Sequence, residues 1–245
     1  MAGAEDTMLP VQRVDMKTDD LDVSATIGRL YARHRPRVRR IARTRIDGGL
    51  RAAAAGPLNA GLVRMVGFDY EAQADPVDWL LTGVISAGTV GVTAGGEQAI
   101  LARGGALLFP LGVQFSLISH SAAGVVLRIP LEAAAGLAEE QAGLPAGKLR
   151  FTSMGPVSAA ARGLFTRTAT FICAELVTSG VTMVSPLVAQ EMTRLAASAM
   201  LTAFPNTTMT VPYLRGPGRV PATAARRAAA YRTAYGRPPS YTLRR

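Results

Sequence analysis

Residues 79–130 read WLLTGVISAGTVGVTAGGEQAILARGGALLFPLGVQFSLISHSAAGVVLRIP. No charged residue lies between Asp78 and Glu97, and none between Arg103 and Arg128. Both uncharged runs are crowded with Gly, Ser and Thr, and the second also holds Pro110, Gln114 and His120. A membrane span is more uniformly apolar. Short apolar runs cut by turn residues are what buried strands look like. The spacing predicts strands over Trp79–Ser86, Gly88–Thr93, Gln98–Leu101, Ala106–Phe109, Val113–Ser119 and Gly124–Pro130, with Gly95-Gly96, Gly104-Gly105 and Pro110 between them. Upstream, Arg37–Ile46 and Gly61–Tyr70 continue the pattern, with a turn expected at Gly48-Gly49 and a break at Asp75-Pro76. Seven or eight short strands about 8–12 residues apart predict an antiparallel sandwich or barrel.

The period changes on either side. Thr18 or Asp19 can cap a helix that places Val23, Ile27, Leu30 and Tyr31 on one apolar face and stops at Pro36. Downstream, Ala133–Gln141 predicts a short helix and Leu149–Phe151 a brief extended piece. Val157, Ala161, Leu164, Thr168, Phe171, Ile172 and Leu176 mark one face of a longer helix. Ser185 with Pro186 opens another, on which Val188, Met192, Leu195 and Ala199 form a stripe. Those two helices predict an antiparallel hairpin. Residues 206–222 are rich in proline and glycine and read as a linker, followed by a basic helical stretch from Thr223.

The chain has 245 residues and a formal net charge of +10, with 49% hydrophobic and 18% charged residues, which excludes a wholly disordered polymer. The charge is local. Residues 29–51 and 212–245 each carry +8, while residues 1–28 carry −4 and residues 52–211 carry −2. Nearly all of the basic residues are arginine, a side chain suited to phosphate and carboxylate. An Ala-, Gly- and Arg-rich, Lys-poor composition is also what a GC-rich genome produces. Met1–Asp6 has neither the basic start nor the apolar run of a signal peptide, and a single cysteine suits a reducing compartment, so the expectation is a cytoplasmic protein with no membrane segment.

Few parts for catalysis are present. One cysteine and two histidines exclude a Cys-cluster zinc site and leave a histidine-rich metal site without ligands. His34 precedes the barrel and His120 stands alone between two serines. Cys173 lies beside Phe171 and Ile172 and reads as a buried, inert thiol. No Gly-x-Gly-x-x-Gly and no Gly-x-Ser-x-Gly motif occurs. The expectation is no enzyme, no metal and no cofactor. A small barrel can instead hold one ligand, and Trp79, Phe109, Phe115 and His120 are the pocket candidates.

The order of segments resembles the N-terminal half of AraC/XylS-type transcriptional regulators with an AraC-binding-like, cupin-type sensor. Asp19-Asp20 through Leu30-Tyr31, then His34-Arg35 and Arg37-Val38, resemble the opening helix and first strand. Asp78-Trp79-Leu80-Leu81 and Gly104-Gly105-Ala106-Leu107-Leu108-Phe109-Pro110 resemble the central run. Leu127-Arg128-Ile129-Pro130 with Leu131-Glu132, Gly155-Pro156, Ser185-Pro186-Leu187 and Pro205-Asn206 follow in order. Arg226-Arg227-Ala228 with Tyr231 and Pro238 resemble the helix that opens the DNA-binding part.

The resemblance implies an α+β chain. A cupin-like antiparallel barrel (15–145) would follow a short helix and precede a dimerising helical hairpin (149–205), a linker (206–222) and a basic stub (223–245). It implies a small-molecule effector of unknown identity, and a homodimer or a heterodimer with a full-length paralogue through its helices; by spacing alone Val188, Met192, Leu195 and Ala199 are either that dimer seam or packing onto the barrel. Only seven residues follow Pro238, so a complete helix-turn-helix is not expected, and specific DNA binding is not carried over. Arg226 and Arg227 remain candidates for non-specific phosphate contact. Two other readings stay open: a cupin-fold small-molecule enzyme, and an Arg-rich nucleic-acid-binding protein.

Overall fold

The computed structural model describes residues 8–210, apart from 19–26, 28–29 and 42–43. Eight strands form one antiparallel sheet: β2 (Gln12–Thr18), β3 (His34–Arg40), β4 (Asp47–Ala55), β5 (Leu58–Ala74), β6 (Trp79–Ala94), β7 (Glu97–Leu101), β8 (Ala106–Leu108) and β9 (Phe115–Pro130). A separate pair joins β1 (Leu9–Pro10) to β10 (Met183–Val184). Three α-helices follow the barrel strands: α1 (Leu131–Ala142), α2 (Ala159–Cys173) and α3 (Pro186–Ala203). This is the cupin-like antiparallel arrangement expected from the sequence.

The sheet runs β2-β4-β5-β9-β6-β7, and the long strands change neighbours part-way. β5 pairs with β4 over Leu58–Val66 and with β3 over Phe68–Ala74. β6 pairs with β8 over Thr82–Val84 and with β7 over Val90–Ala94. At the same height the register slips three times: between Met65 and Asp69 on β5, and at Ile85/Ala87 and Ala87/Thr89 on β6, both against β9. Bulges sharpen the twist of a strand, so three adjacent strands bend together and fold the sheet over itself.

Two glycines make this corner possible. Gly67 and Gly88 have φ of 86° and 68°, a region that other residues enter only with strain. A Cβ on Gly67 would strike the Arg45 carbonyl, and one on Gly88 the carbonyls of His120 and Ser121. Ser121 itself has φ of 45°, and its hydroxyl accepts from the Gly67 N–H at 3.1 Å. The sequence led us to expect strand breaks at Gly88 and around residues 120–123. There the chain bends without leaving the ladder, so two expected pairs of short strands are two strands of 16 residues.

Other expectations are corrected nearby. Gly48-Gly49 lies inside β4, opposite Met65 and Arg64, not in a turn. Thr18 ends a strand rather than capping a helix: β2 was not expected, although Val14 and Met16 alternate with polar neighbours. Ile27 and Leu30 are helical, but Tyr31 already lies in a turn and Pro36 sits inside β3, so the expected opening helix ends before Tyr31; residues 19–26 and 28–29 lie outside the described residues.

The helices share one apolar core with the lower barrel, which includes Leu58, Leu80, Leu127, Ile129, Phe165, Ile172, Met200 and Phe204. Phe165 and Phe204 meet edge to face, with centroids 5.2 Å apart. α2 is extended by a π-turn over Ala174–Thr178. Its terminal Val177 carbonyl accepts from Arg13 on β2 at 3.1 Å and from Arg51 on β4 at 3.3 Å. Cations suit the negative end of a helix, so these barrel arginines tie down the hairpin. Pro186 opens α3, but the preceding Ser185 makes no side-chain capping bond. At the far end the buried Asn206 amide donates to the Leu201 and Phe204 carbonyls. The expected linker beyond Thr210 and the stub, with Arg226 and Arg227, lie outside the described residues.

Replacing Gly88 by Ala should lower stability by at least about 2 kcal/mol, read from urea midpoints. Gly95→Ala should lose clearly less, because Gly95 shares the positive φ but has open space around it.

Candidate functional site

The fold-over forms a partly open cavity of about 110 Å³. Period-two alternation supplies its wall: Tyr70, Ala72 and Ala74 point inward from β5, and Phe115, Leu117 and Ser119 from β9. β6 adds Leu81, Gly83, Ile85 and Val90. Among its described lining residues there is no Asp, Glu, Lys or Arg. Phe109 and Phe115 both line it, their ring centroids 5.5 Å apart and tilted by 47°.

Two of the other pocket candidates sit elsewhere. His120 follows the corner on the outer face, where its side chain is 56% exposed and its Nδ1 lies 3.0 Å from Asp69 Oδ1. The alternation that runs from Phe115 up to the slip turns His120 outward where it leaves Ser119 inside. Asp69 also accepts from Arg39 at 2.7 Å. Hydrogen bonds from His120 and then Arg39 hold the Asp69 carboxyl below the usual carboxylate range.

Trp79 is absent from the cavity wall and acts one layer out. Its indole N–H donates to the Tyr31 carbonyl at 3.1 Å. Arg128 lies over the Trp79 ring, 4.8 Å from its centre, and donates to the Leu30 carbonyl at 2.8 Å. His34 Nδ1 bonds the Ala32 carbonyl at 2.8 Å. Three consecutive carbonyls, Leu30, Tyr31 and Ala32, are thus each held by a barrel side chain. The effect is to set Ile27, Tyr31 and Ala32 into the cavity wall.

The polar groups inside are few. A carbonyl only accepts, so His34 Nδ1 carries a proton, and in the neutral ring Nε2 accepts from the Tyr70 hydroxyl, which it touches closely. Ser119 is fully buried and directly opposite Tyr70 across β5 and β9, yet its hydroxyl has no partner. The Tyr31 hydroxyl is likewise buried and unpaired, resting against Gly61, where a Cβ would collide with it. Burial pushes both tyrosine phenols well above their ordinary range, so both stay protonated at neutral pH. Unpaired buried hydroxyls cost about 1–3 kcal/mol each unless something supplies a partner. Sequence reasoning missed Tyr31, His34, Tyr70 and Ser119 as wall residues. Inward alternation could have suggested Tyr70 and Ser119, given the correct register.

Chemistry beyond binding finds little here. Among the described residues no group of three His, Cys, Asp or Glu is placed to hold a metal. His34 has both ring nitrogens engaged. Cys173 is buried and its thiol is pushed up to about 11, chiefly by desolvation, which suits an inert residue. No described helix is long and apolar enough to cross a membrane.

Of the hairpin stripe, Met192 and Ala199 are buried within the domain, while Val188 and Leu195 are exposed. Leu187 beside them is 64% exposed. Leu164 and Phe171, expected on the packed face of α2, are exposed as well.

Comparison with known proteins follows the same lines. The family described as the AraC-binding-like domain matches residues 23–202. The structure of the AraC-like transcriptional activator CuxR is similar at a TM-score of 0.56, with 14% identity over 95% of this chain and 83% of that one. At that identity the likeness bears on the fold alone. KdgF from Halomonas sp. matches 34% of this chain and 79% of its own at 20% identity and a TM-score of 0.29. The cupin domain of Schizosaccharomyces pombe Cnp3 matches 46% of this chain and 96% of its own at 14% identity and a TM-score of 0.28. No curated protein sequence matches the chain.

Two predictions test the site's supports. Arg128→Ala should lower stability by about 1–3 kcal/mol and shift Trp79 fluorescence to the red, since the residue serves both Leu30 and the indole. Asp69 contributes stability that is complete above the ordinary carboxylate pKa of about 3.9 and is lost as pH falls through its depressed folded value. Asp69→Asn should therefore weaken the acid dependence of the urea midpoint, with a loss at neutral pH below about 1 kcal/mol because the cluster is exposed.

Proposed function

The chain belongs to the AraC-binding-like domain family, and from that premise we propose that its barrel binds a small effector and reports it through a regulator of AraC type. The carrying observation is the apolar cavity with buried hydroxyls that lack partners among the described residues. A metal-dependent cupin needs converging ligands, and among the described residues no such group is placed; the wall's one imidazole, His34, has both nitrogens engaged by Ala32 and Tyr70. The protein is thus read as a sensor and not an enzyme, working without a metal or cofactor. Phe109 and Phe115 are the binding rings, and Trp79 is their outer support.

The helical hairpin is the dimer element. Met192 and Ala199 serve the domain's own core, so the contact with a second subunit falls to Leu187, Val188 and Leu195 on the outer face of α3. That second subunit is another copy of this chain or a full-length paralogue. Arg226 and Arg227 are proposed to touch phosphate backbones without sequence preference.

Thermal-shift screening with a library of small neutral and anionic compounds tests the sensor reading. A hit should raise Tm and change Trp79 fluorescence, and Ala122→Phe, which fills the cavity, should abolish both effects. Hits indifferent to that substitution would place binding elsewhere. For the dimer, Leu195→Glu should shift sedimentation toward the monomer while circular dichroism shows the fold retained, because Leu195 is exposed within one chain, and the Tm of the parent but not of the variant should rise with protein concentration.

A further inference from the structure

The wall also restricts what the effector is. A carboxylate or phosphate brought into this cavity would find no Lys or Arg among the described lining residues, and an unpaired buried charge is prohibitively unfavourable. A sugar would bring several hydroxyls to a wall that offers very few partners. A pure hydrocarbon would fill the space but leave the Ser119 hydroxyl as it is, buried and unpaired.

The polar inventory is specific. Tyr70 spends its proton on His34 Nε2 and so presents only an acceptor oxygen. Ser119, directly across the ladder from Tyr70, has both its proton and its lone pairs free. A ligand hydroxyl is the group that answers both, since it donates and accepts at once. Around it stand the Phe109 and Phe115 rings, whose tilted pairing leaves a third ring the geometry of aromatic packing. The volume sets the scale: a cavity of about 150 Å³ is known to take one benzene, and this one is about 110 Å³.

We propose that the barrel selects a small, uncharged, ring-bearing alcohol or phenol, with Ser119 as the residue that reads its hydroxyl. This rests on the barrel being the effector site.

Phenol, toluene and benzoate serve as probes, with binding to the whole chain read by Trp79 fluorescence and calorimetry. Phenol should bind more tightly than toluene, and benzoate should fail to bind. Ser119→Ala, a conservative loss of one oxygen, should weaken phenol about three- to tenfold and leave toluene within about twofold. Two outcomes overturn the class alone: benzoate binding as well as phenol, or an unchanged phenol-to-toluene ratio in Ser119→Ala, with all binding lost in the cavity-filling Ala72→Leu. Probes that bind Ala72→Leu as well as the parent overturn the effector site and the class together. So does the failure of every probe to bind a chain shown folded by circular dichroism.

Discussion

The shared bend of β5, β6 and β9 turns a single sheet into an enclosure. Strands of this length, left straight, would make a flat slab with one face in water. Because their register slips fall at one height, the two halves of each strand face each other across an apolar space. The change of neighbours follows: β3 and β7 complete one half, β4 and β8 the other. Gly67 and Gly88 carry this arrangement, since any side chain there would strike a neighbouring carbonyl. The outward turn of His120 and the inward turn of Ser119 follow from the alternation that runs from Phe115 up to the slip.

A second dependence links the corner to the site. The half of the barrel that holds the cavity is closed by the residues around Tyr31, and these are held through their backbone. Arg128, Trp79 and His34 reach three successive carbonyls from three different strands. Backbone bonds of this kind fix position whatever the side chains are, which leaves Ile27 and Tyr31 free to shape the wall. Trp79 therefore bears on the shape of the cavity without lining it.

Much of this was legible in the residues, and the failures have physical causes. The long uncharged runs at 79–96 and 104–127 disclosed buried strands. The Ser185-Pro186 step and the Asn206 closure marked α3 at both ends. Glycine misled in two opposite ways. Gly48-Gly49 reads as a turn, but there the chain simply needs small residues inside a ladder, and Gly88 reads as a break where it is a bend. Counting strands was thus harder than naming their class. β2 was hidden because acidic residues on its flank suggested a helix start. The pocket was half legible: aromatic residues on strands pointed to Phe109 and Phe115, while Ser119 and Tyr70 depend on a register that period alone does not supply.

The helical stripe shows why spacing could not separate packing from association. Val188, Met192, Leu195 and Ala199 fall at helical intervals, yet a helix lying on a barrel presents only about half its circumference to the core. Met192 and Ala199 lie within that arc and Val188 and Leu195 outside it. The same split occurs on α2, where Ala161, Thr168 and Ile172 are buried and Leu164 and Phe171 are not. The inner arcs mix small residues, such as Ala161, Ala189, Ala196 and Ala197, with the large Phe165, Ile172 and Met200, so side-chain size does not sort the two faces. What sorts them is the angular position of each residue on its helix, which spacing read without a partner surface leaves undetermined.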